Sequence, residues 1–416
     1  MRVLVVSALY PPVAFGGYEV ECSAVADRLA EKHQVLVLTG DRERATARSA
    51  DAARRQVDVR RDLASLTADE SGALRAPLAS LRAVGTARRA LAWAPDLIYA
   101  WNGASIPQAS LRVLADSGVP LAFRVCEHWF GGLFRRDQFM RELLPQRRGV
   151  ARAAWATGCR LLNRLPALRL NVTAPVRTAV SWNSQAIKNM IELPPFIEVA
   201  LERVDHSVPR FGDVYATVTR KPAEQAEIAF VGRVTPYKGV DVAIEALALL
   251  HSDYQIPATL TVAGPVDGDY SSQLRELASR LGVADALRWP GSLPPESIAA
   301  LLARASAMIV PSTWDEPFPL VTIEAALARV PIVASDVGGI SEGVADEEHA
   351  LLFPRSDARA AAGALARVLS ETERTSARVA RAYDRAQAFR LGPYLDSQER
   401  FVFDALAALR GDDRPA

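Results

Sequence analysis

The sequence predicts an α/β protein made of two doubly wound parallel-sheet domains, and three observations carry that expectation. Short apolar runs alternate with helical patterns through both halves of the chain, as parallel strands joined by crossover helices require. Several runs end in polar, glycine-containing loops, at the sheet edge where such folds gather ligands. The length, 416 residues, is long for one core and comfortable for two.

Composition excludes some functions. Half of the residues are apolar, as in a soluble globular protein. A net charge of +1, from 49 basic and 48 acidic side chains, argues against a dedicated nucleic-acid binder. Cys22, Cys126 and Cys159 lack CxxC spacing and a nearby histidine cluster, so they read as reduced thiols of a cytoplasmic protein. The apolar run after Arg2 breaks at Tyr10-Pro11-Pro12, too soon for a signal sequence or membrane span.

That run, Arg2 to Ser7, is the first expected strand. The loop Ala8 to Gly17 follows, then a helical pattern from about Tyr18 to Glu31 and a strand at Val35 to Thr39. Gly16 and Gly17, just before the helix, let backbone N–H groups approach an anion, although a glycine pair also serves a plain turn. Asp41 to Arg89 reads as a long connection with surface helices and little strand signal beyond Val57 to Val59. Strands return after Pro95 and at Val119 to Val125, the second ending in Cys126-Glu127-His128. Between Leu133 and Leu170 lie nine arginines and two acids, either a solvated helix face or a surface that meets anionic lipid or an acidic acceptor. Val176 to Trp182 and Ile197 to Arg203 close the first domain, residues 1–208, and the lapse of pattern at 209–225 reads as a linker.

The second domain, residues 226–385, opens with Ala226 to Gly232 and repeats apolar runs at Ala258 to Gly264, Ala286 to Gly291, Ser306 to Val310, Pro331 to Ser335 and His349 to Phe353. Helical patterns at Val240 to Leu250, Ser271 to Leu281, Pro295 to Ala305 and around Glu324 separate most of them. Residues 386–416 are read as a helix and tail that pack back on the first domain.

Two loops of this second half carry chemistry. Gly232-Arg233-Val234-Thr235-Pro236-Tyr237-Lys238-Gly239 sets two cations before a helix, suited to a diphosphate: Arg233 grips as a fork and Lys238 acts as a point charge. Glu316 and Glu324, with seven residues between them, flank a helix start near Pro319, a residue that tolerates the first turn because it lacks an N–H. A pair of acids at a helix N-terminus is more often a capping arrangement than a catalytic one. Asp267-Gly268-Asp269 resembles a metal-holding DxD but sits in a polar turn, so no metal is expected there. GxGxxG spacing is missing, which ranks a dinucleotide oxidoreductase low.

Together, Gly232 to Gly239, the E-x7-E of Glu316 and Glu324 within PSTWDEPFPLVTIEA, Ser335 to Glu342 (SDVGGISE) and the opening YPPVAFGGYE resemble the retaining glycosyltransferases of family 4. The resemblance implies a GT-B fold, two Rossmann-like domains facing across a cleft, with a nucleoside-diphosphate sugar on the second domain and the acceptor on the first. It implies that Arg233 and Lys238 neutralise the departing diphosphate in place of a metal, so no cofactor is expected. Glu316 then touches the donor sugar beside Phe318, Pro319 and Leu320, and Glu324 bonds the ribose. Gly232 lies in the phosphate loop, Gly16 and Gly17 close over the phosphates, and His128 stands near the acceptor-side histidine. Pro319 and Arg329 each stand where the family usually has glycine.

The expectation is therefore a metal-independent, retaining glycosyltransferase with a glycan, lipid-linked or small-molecule acceptor. It is cytoplasmic, with peripheral membrane contact through residues 133–170 and no nucleic-acid partner. A nucleotide-sugar epimerase on the same fold and a non-catalytic sugar-binding scaffold are the alternatives.

Overall fold

A computed structural model describes residues 1–12, 17–40, 57–60, 63, 75–103, 106–134, 157, 174–266 and 268–411. Gly16, Cys159, Asp267 and nearly all of the arginine-rich segment lie outside the described residues. The chain divides into two compact units. The first holds Met1–Asn183, Ile187–Asp205 and Tyr394–Ala416, and the second holds Ser184–Ala186 and His206–Pro393.

The first unit is built on a seven-stranded parallel sheet. Its strands are β1 (Arg2–Ser7), β2 (Gln34–Thr39), β3 (Asp58–Arg60), β4 (Leu97–Ala100), β5 (Leu121–Val125), β6 (Val176–Trp182) and β7 (Ile197–Val204), in the order β3-β2-β1-β4-β5-β6-β7. Helices α1 (Gly17–Ala30), α2 (Arg75–Leu91), α3 (Gln108–Ala115) and α4 (Gln185–Met190) fall between them. Strand β1 reads as an unbroken apolar run because a central parallel strand is covered on both faces, and Val3 to Ser7 are all buried. Helix α2 is not confined to the surface: Ala83, Ala87 and Ala90 pack into the core with Leu4, Leu36, Ile98 and Phe123.

The second unit repeats the design. Its strands are β8 (Ala226–Val231), β9 (Ala258–Ala263), β10 (Leu287–Gly291), β11 (Ala307–Val310), β12 (Ile332–Ser335) and β13 (Leu351–Phe353), in the order β10-β9-β8-β11-β12-β13. Its helices are α5 (Gly212–Ala216), α6 (Val240–Ser252), α7 (Tyr270–Arg280), α8 (Pro295–Arg304), α9 (Leu320–Leu327), α10 (Ile340–Gly343), α11 (Ala358–Ser370) and α12 (Thr372–Ala386). Ile228, Phe230, Leu260, Val262, Ile309 and Val333 form its core with Ile244 and Leu247 of α6. Residues 209–225, read as a linker, carry α5 and belong to the second unit, where Tyr215 is buried.

Helix α13 spans Leu391–Arg410, and from Tyr394 onward it belongs to the first unit. It is held there by buried polar groups. Arg124 of β5, fully buried, pairs with Glu21 of α1 at 2.8 Å. Tyr394 donates to the same Glu21 carboxylate, and the Tyr99 hydroxyl donates to Gln398 Oε1 at 2.6 Å. Ser397 and Ser181 donate to the two oxygens of Asp205 at 2.7 and 3.0 Å. Burying an arginine costs several kcal/mol unless its charge and N–H groups are met, and Glu21, Ser181 and the Asp205 carbonyl meet its charge and its two terminal nitrogens.

In both sheets the chain winds outward from a central strand and then returns to that strand's other side. The turning points are β1/β4 and β8/β11. In an open parallel sheet the crevice at such a point, beyond the carboxyl ends of the strands, is where ligands bind.

Candidate functional site

At the β8/β11 turning point the second unit brings its two chemical loops together. The loop after β8 runs from Gly232 through a single 3₁₀ turn, Pro236–Lys238, to Gly239 at the head of α6. The loop after β11 runs from Pro311 to Pro319. They are stitched by Thr313, whose N–H donates to the Tyr237 carbonyl at 2.9 Å. Gly239 is required at their junction. Its φ is 69°, and a Cβ there falls 1.9 Å from the Pro311 carbonyl oxygen.

Lys238 and Glu316 meet within this frame. Lys238 Nζ lies 2.6 Å from Glu316 Oε1, and Ser312 Oγ donates to the same oxygen at 2.5 Å. Glu316 is buried, whereas Lys238 is partly open. The Trp314 and Tyr237 rings stand at 5.2 Å, with the ammonium 5.7 and 6.0 Å from their centroids. Lys238 thus sits against two aromatic surfaces that limit where its charge can go. Arg233 is exposed, with its guanidinium 6.0 Å from the Tyr237 ring centroid.

A third loop closes the frame from β12. Gly339 N–H donates to the Glu316 carbonyl at 2.7 Å. A Cβ on Gly338 would lie 2.2 Å from the Glu316 carbonyl oxygen, and one on Gly339 would lie 2.2 Å from that of Pro317. The paired glycines of SDVGGISE therefore let one backbone lie directly on another, and that contact fixes Glu316. Asp315 beside it pairs with Arg355.

Helix α9 starts at Leu320, with Pro319 in an extended conformation at its N-cap, one residue later than the sequence indicated. Phe318 and Pro319 are buried. Glu324 is half-buried, and desolvation pushes its carboxyl up to about 7. The Tyr215 phenol is raised too, first by burial and then by Glu324, so α5 brings a tyrosine near this acid that no motif had marked. Arg329 takes the left-handed conformation usual for glycine, φ 55°, just past the helix. Arg329 N–H bonds to the Ala326 carbonyl and Val330 N–H to that of Ala325, a complete Schellman end without glycine. The Arg329 guanidinium stacks 3.6 Å from the Tyr383 ring centroid.

The first unit holds the remaining candidates. Gly17 opens α1, and the Tyr18 hydroxyl beside it reaches the carbonyls of Trp101, at 2.7 Å, and Arg124. That tie sets the start of α1 over the ends of β4 and β5. Cys126 is buried at the end of β5, and Glu127 and His128 are exposed beyond it. Among the described residues, no three His, Cys, Asp or Glu side chains are grouped to hold a metal ion, and no helix is long and apolar enough to cross a membrane.

Comparison with known proteins gives this geometry a lineage. Residues 214–385 match the family model of the glycosyl transferases group 1. A D-inositol 3-phosphate glycosyltransferase of Acidothermus cellulolyticus is 34% identical over 186 residues, 42% of this chain and 40% of that protein. The match thus spans less than half of that relative's length. A glycogen synthase of Mycobacterium tuberculosis is 28% identical over 100% of this chain and 97% of its own. Among solved structures, Anabaena Alr3699/HepE in complex with UDP and glucose superposes with a TM-score of 0.67 at 21% identity, covering 97% of this chain and 100% of that one. Sucrose-phosphate synthase from Thermosynechococcus elongatus gives 0.71 at 18% identity, covering 98% and 99%. Residues 214–385 therefore match the glycosyl transferases group 1 family, in a chain whose two parallel-sheet α/β domains have the GT-B fold.

Proposed function

We propose that the protein is a metal-independent, retaining glycosyltransferase of family 4 that moves a sugar from a nucleoside-diphosphate sugar to a glycan, lipid-linked or small-molecule acceptor. One observation carries the reading: Lys238 and Glu316, from separate loops, meet at 2.6 Å at the sheet's turning point in the domain that matches the family. Transfer breaks the bond between the anomeric carbon and the leaving phosphate oxygen, so negative charge grows on the diphosphate. Fixed cations aimed at that charge lower the barrier because they need no reorganisation. Lys238, steered by Trp314 and Tyr237, is one such cation, and the exposed Arg233 is the second.

Glu316 meets the donor sugar, and the α9 N-terminus offers N–H groups that have no acceptor within the helix. Pro319 contributes none, which limits polar contact to its neighbours. Glu324 takes the ribose hydroxyls. His128 serves the acceptor side. UDP and glucose in the Anabaena structure make UDP-glucose a reasonable first donor. The arginine-rich segment, residues 133–170, supplies peripheral contact with an anionic membrane face, which sedimentation with vesicles of anionic lipid checks.

The test is donor turnover. The protein is given UDP-glucose or GDP-mannose with a panel of acceptors, with and without EDTA, and release of nucleoside diphosphate is followed together with the anomeric configuration of the product. Acceptor-dependent release that ignores EDTA and retains configuration supports the proposal. Acceptor-independent conversion of the donor favours the epimerase, and no conversion favours the scaffold.

A further inference from the structure

His206 had no place in the sequence reading, yet it sits behind the expected sugar-binding loop. Its ring packs on Phe318, with centroids 4.9 Å apart, and edge-on against Phe389 at 5.7 Å; Phe318 and Phe389 stand 5.5 Å from each other. His206 Nε2 lies 2.9 Å from Glu342 Oε2. Glu342 belongs to α10, directly after the Gly338-Gly339 turn that presses on Glu316 and Pro317.

The Glu342 carboxylate is itself fully engaged. It accepts from the N–H groups of Gln185 and Ala186 at 2.8 and 2.6 Å, and the backbone carbonyl of Glu342 accepts from Arg385 at 2.9 Å. Burial raises this carboxyl, but the bonds from His206, Gln185 and Ala186 outweigh burial and hold it below its ordinary range. It is thus a fixed point of charge, and His206 is tethered to it.

We propose that His206 and Glu342 are a positioning pair that sets the Phe318–Leu320 backbone against the sugar of the donor. The inference rests on the reading of the second unit as a nucleotide-sugar site and names how its sugar end is held. The loop is gripped at two places. Gly339 bonds the Glu316 carbonyl, and Phe318, two residues on, lies against a ring fixed by Glu342. Both grips come from one short segment, Gly338 to Glu342, so that segment and the donor loop shift together. Lys238 and Arg233, which take the diphosphate, stand on the loop after β8, and Lys238 meets the donor loop upstream of Phe318, at Trp314 and Glu316. Loss of the pair therefore weakens hold on the sugar and leaves hold on the diphosphate.

The experiment compares the affinities of UDP and UDP-glucose, with GDP and GDP-mannose as a second pair, for wild type, His206→Phe, Glu342→Gln and the double variant. His206→Phe keeps the ring packing and loses the bond, and Glu342→Gln keeps the shape and loses the charge. The expected result is a roughly five- to tenfold loss for the sugar nucleotide with the diphosphate unchanged, and a double variant no worse than the singles because they share one interaction. A parallel loss for both ligands means general structural damage and overturns the proposal. Wild-type binding of the sugar nucleotide by all variants overturns it as well. A wild type that binds no nucleotide overturns the site reading, and the pair's role falls with it.

Discussion

Lys238 Nζ and Glu316 Oε1, 2.6 Å apart, join the loop after β8 to the loop after β11. The cation assigned to the diphosphate and the acid assigned to the sugar are thus one electrostatic unit. Glu316→Gln keeps the shape and the Ser312 bond but frees the ammonium from its counter-charge. Donor turnover is expected to fall about 10²-fold or more, the usual scale for a group that acts at the reacting centre, while binding of the free diphosphate holds or tightens. Turnover and diphosphate affinity, measured side by side, check this. Equal loss in both would contradict it.

Glu324 gives a pH signature. Its carboxyl is raised by desolvation from 4.5 to about 7, so the folded chain holds that proton more tightly than the unfolded chain. The stability this contributes is fully present below about pH 4.5 and is lost as pH rises through about 7, a change on the order of 3 kcal/mol. Glu324→Gln cannot titrate. Urea unfolding at pH 5.5 and 8 is expected to show wild type losing stability relative to the variant, and parallel curves would refute the assignment.

The glycines of SDVGGISE are tested by Gly339→Ala. The new Cβ meets the Pro317 carbonyl oxygen at 2.2 Å, an overlap that backbone must move to relieve. A displaced Glu316 loop is expected to lower the melting temperature by several degrees and to remove most nucleotide affinity. Gly282→Ala is the control, because φ there is also positive, 74°, but no atom lies within 4 Å of the added Cβ. It is expected to cost on the order of 1 kcal/mol from backbone strain alone and to leave nucleotide affinity intact.

Much of this was legible before the structure. Strand and helix alternation is written in apolar periodicity, so both sheets and their parallel character follow from runs such as Arg2 to Ser7 and Ala226 to Val231. The Lys238 and Glu316 loops were legible because glycines and charges interrupt those runs at the sheet edge. Other features were hidden for physical reasons. Residues 209–225 look like a linker because α5 is only Gly212–Ala216, too short to show a period, yet Tyr215 is buried in the second unit. His206 stands in no motif, and only tertiary packing joins it to Phe318 and Glu342. Arg329 visibly breaks the glycine pattern, but its left-handed backbone and its stacking on Tyr383 are set by tertiary structure that no local motif encodes.

Arg124 anchors the first unit. Arg124→Met strands the buried Glu21 carboxylate, which Tyr394 then meets alone, and a loss of about 3–5 kcal/mol is expected. Adding Glu21→Gln removes the stranded charge and is expected to restore part of the stability. Urea midpoints of the single and double variants check the coupling, and additive losses would deny it.

The most direct test of the central claim is a thermal-shift panel of UDP, GDP, ADP and dTDP, each with and without EDTA, on wild type and Lys238→Ala. A ligand that binds only the native state raises the midpoint by mass action. The account predicts that one nucleotide stabilises wild type, that EDTA leaves the shift intact, and that Lys238→Ala abolishes it. A shift lost with EDTA, or one that survives Lys238→Ala, would contradict a metal-free diphosphate site at Lys238.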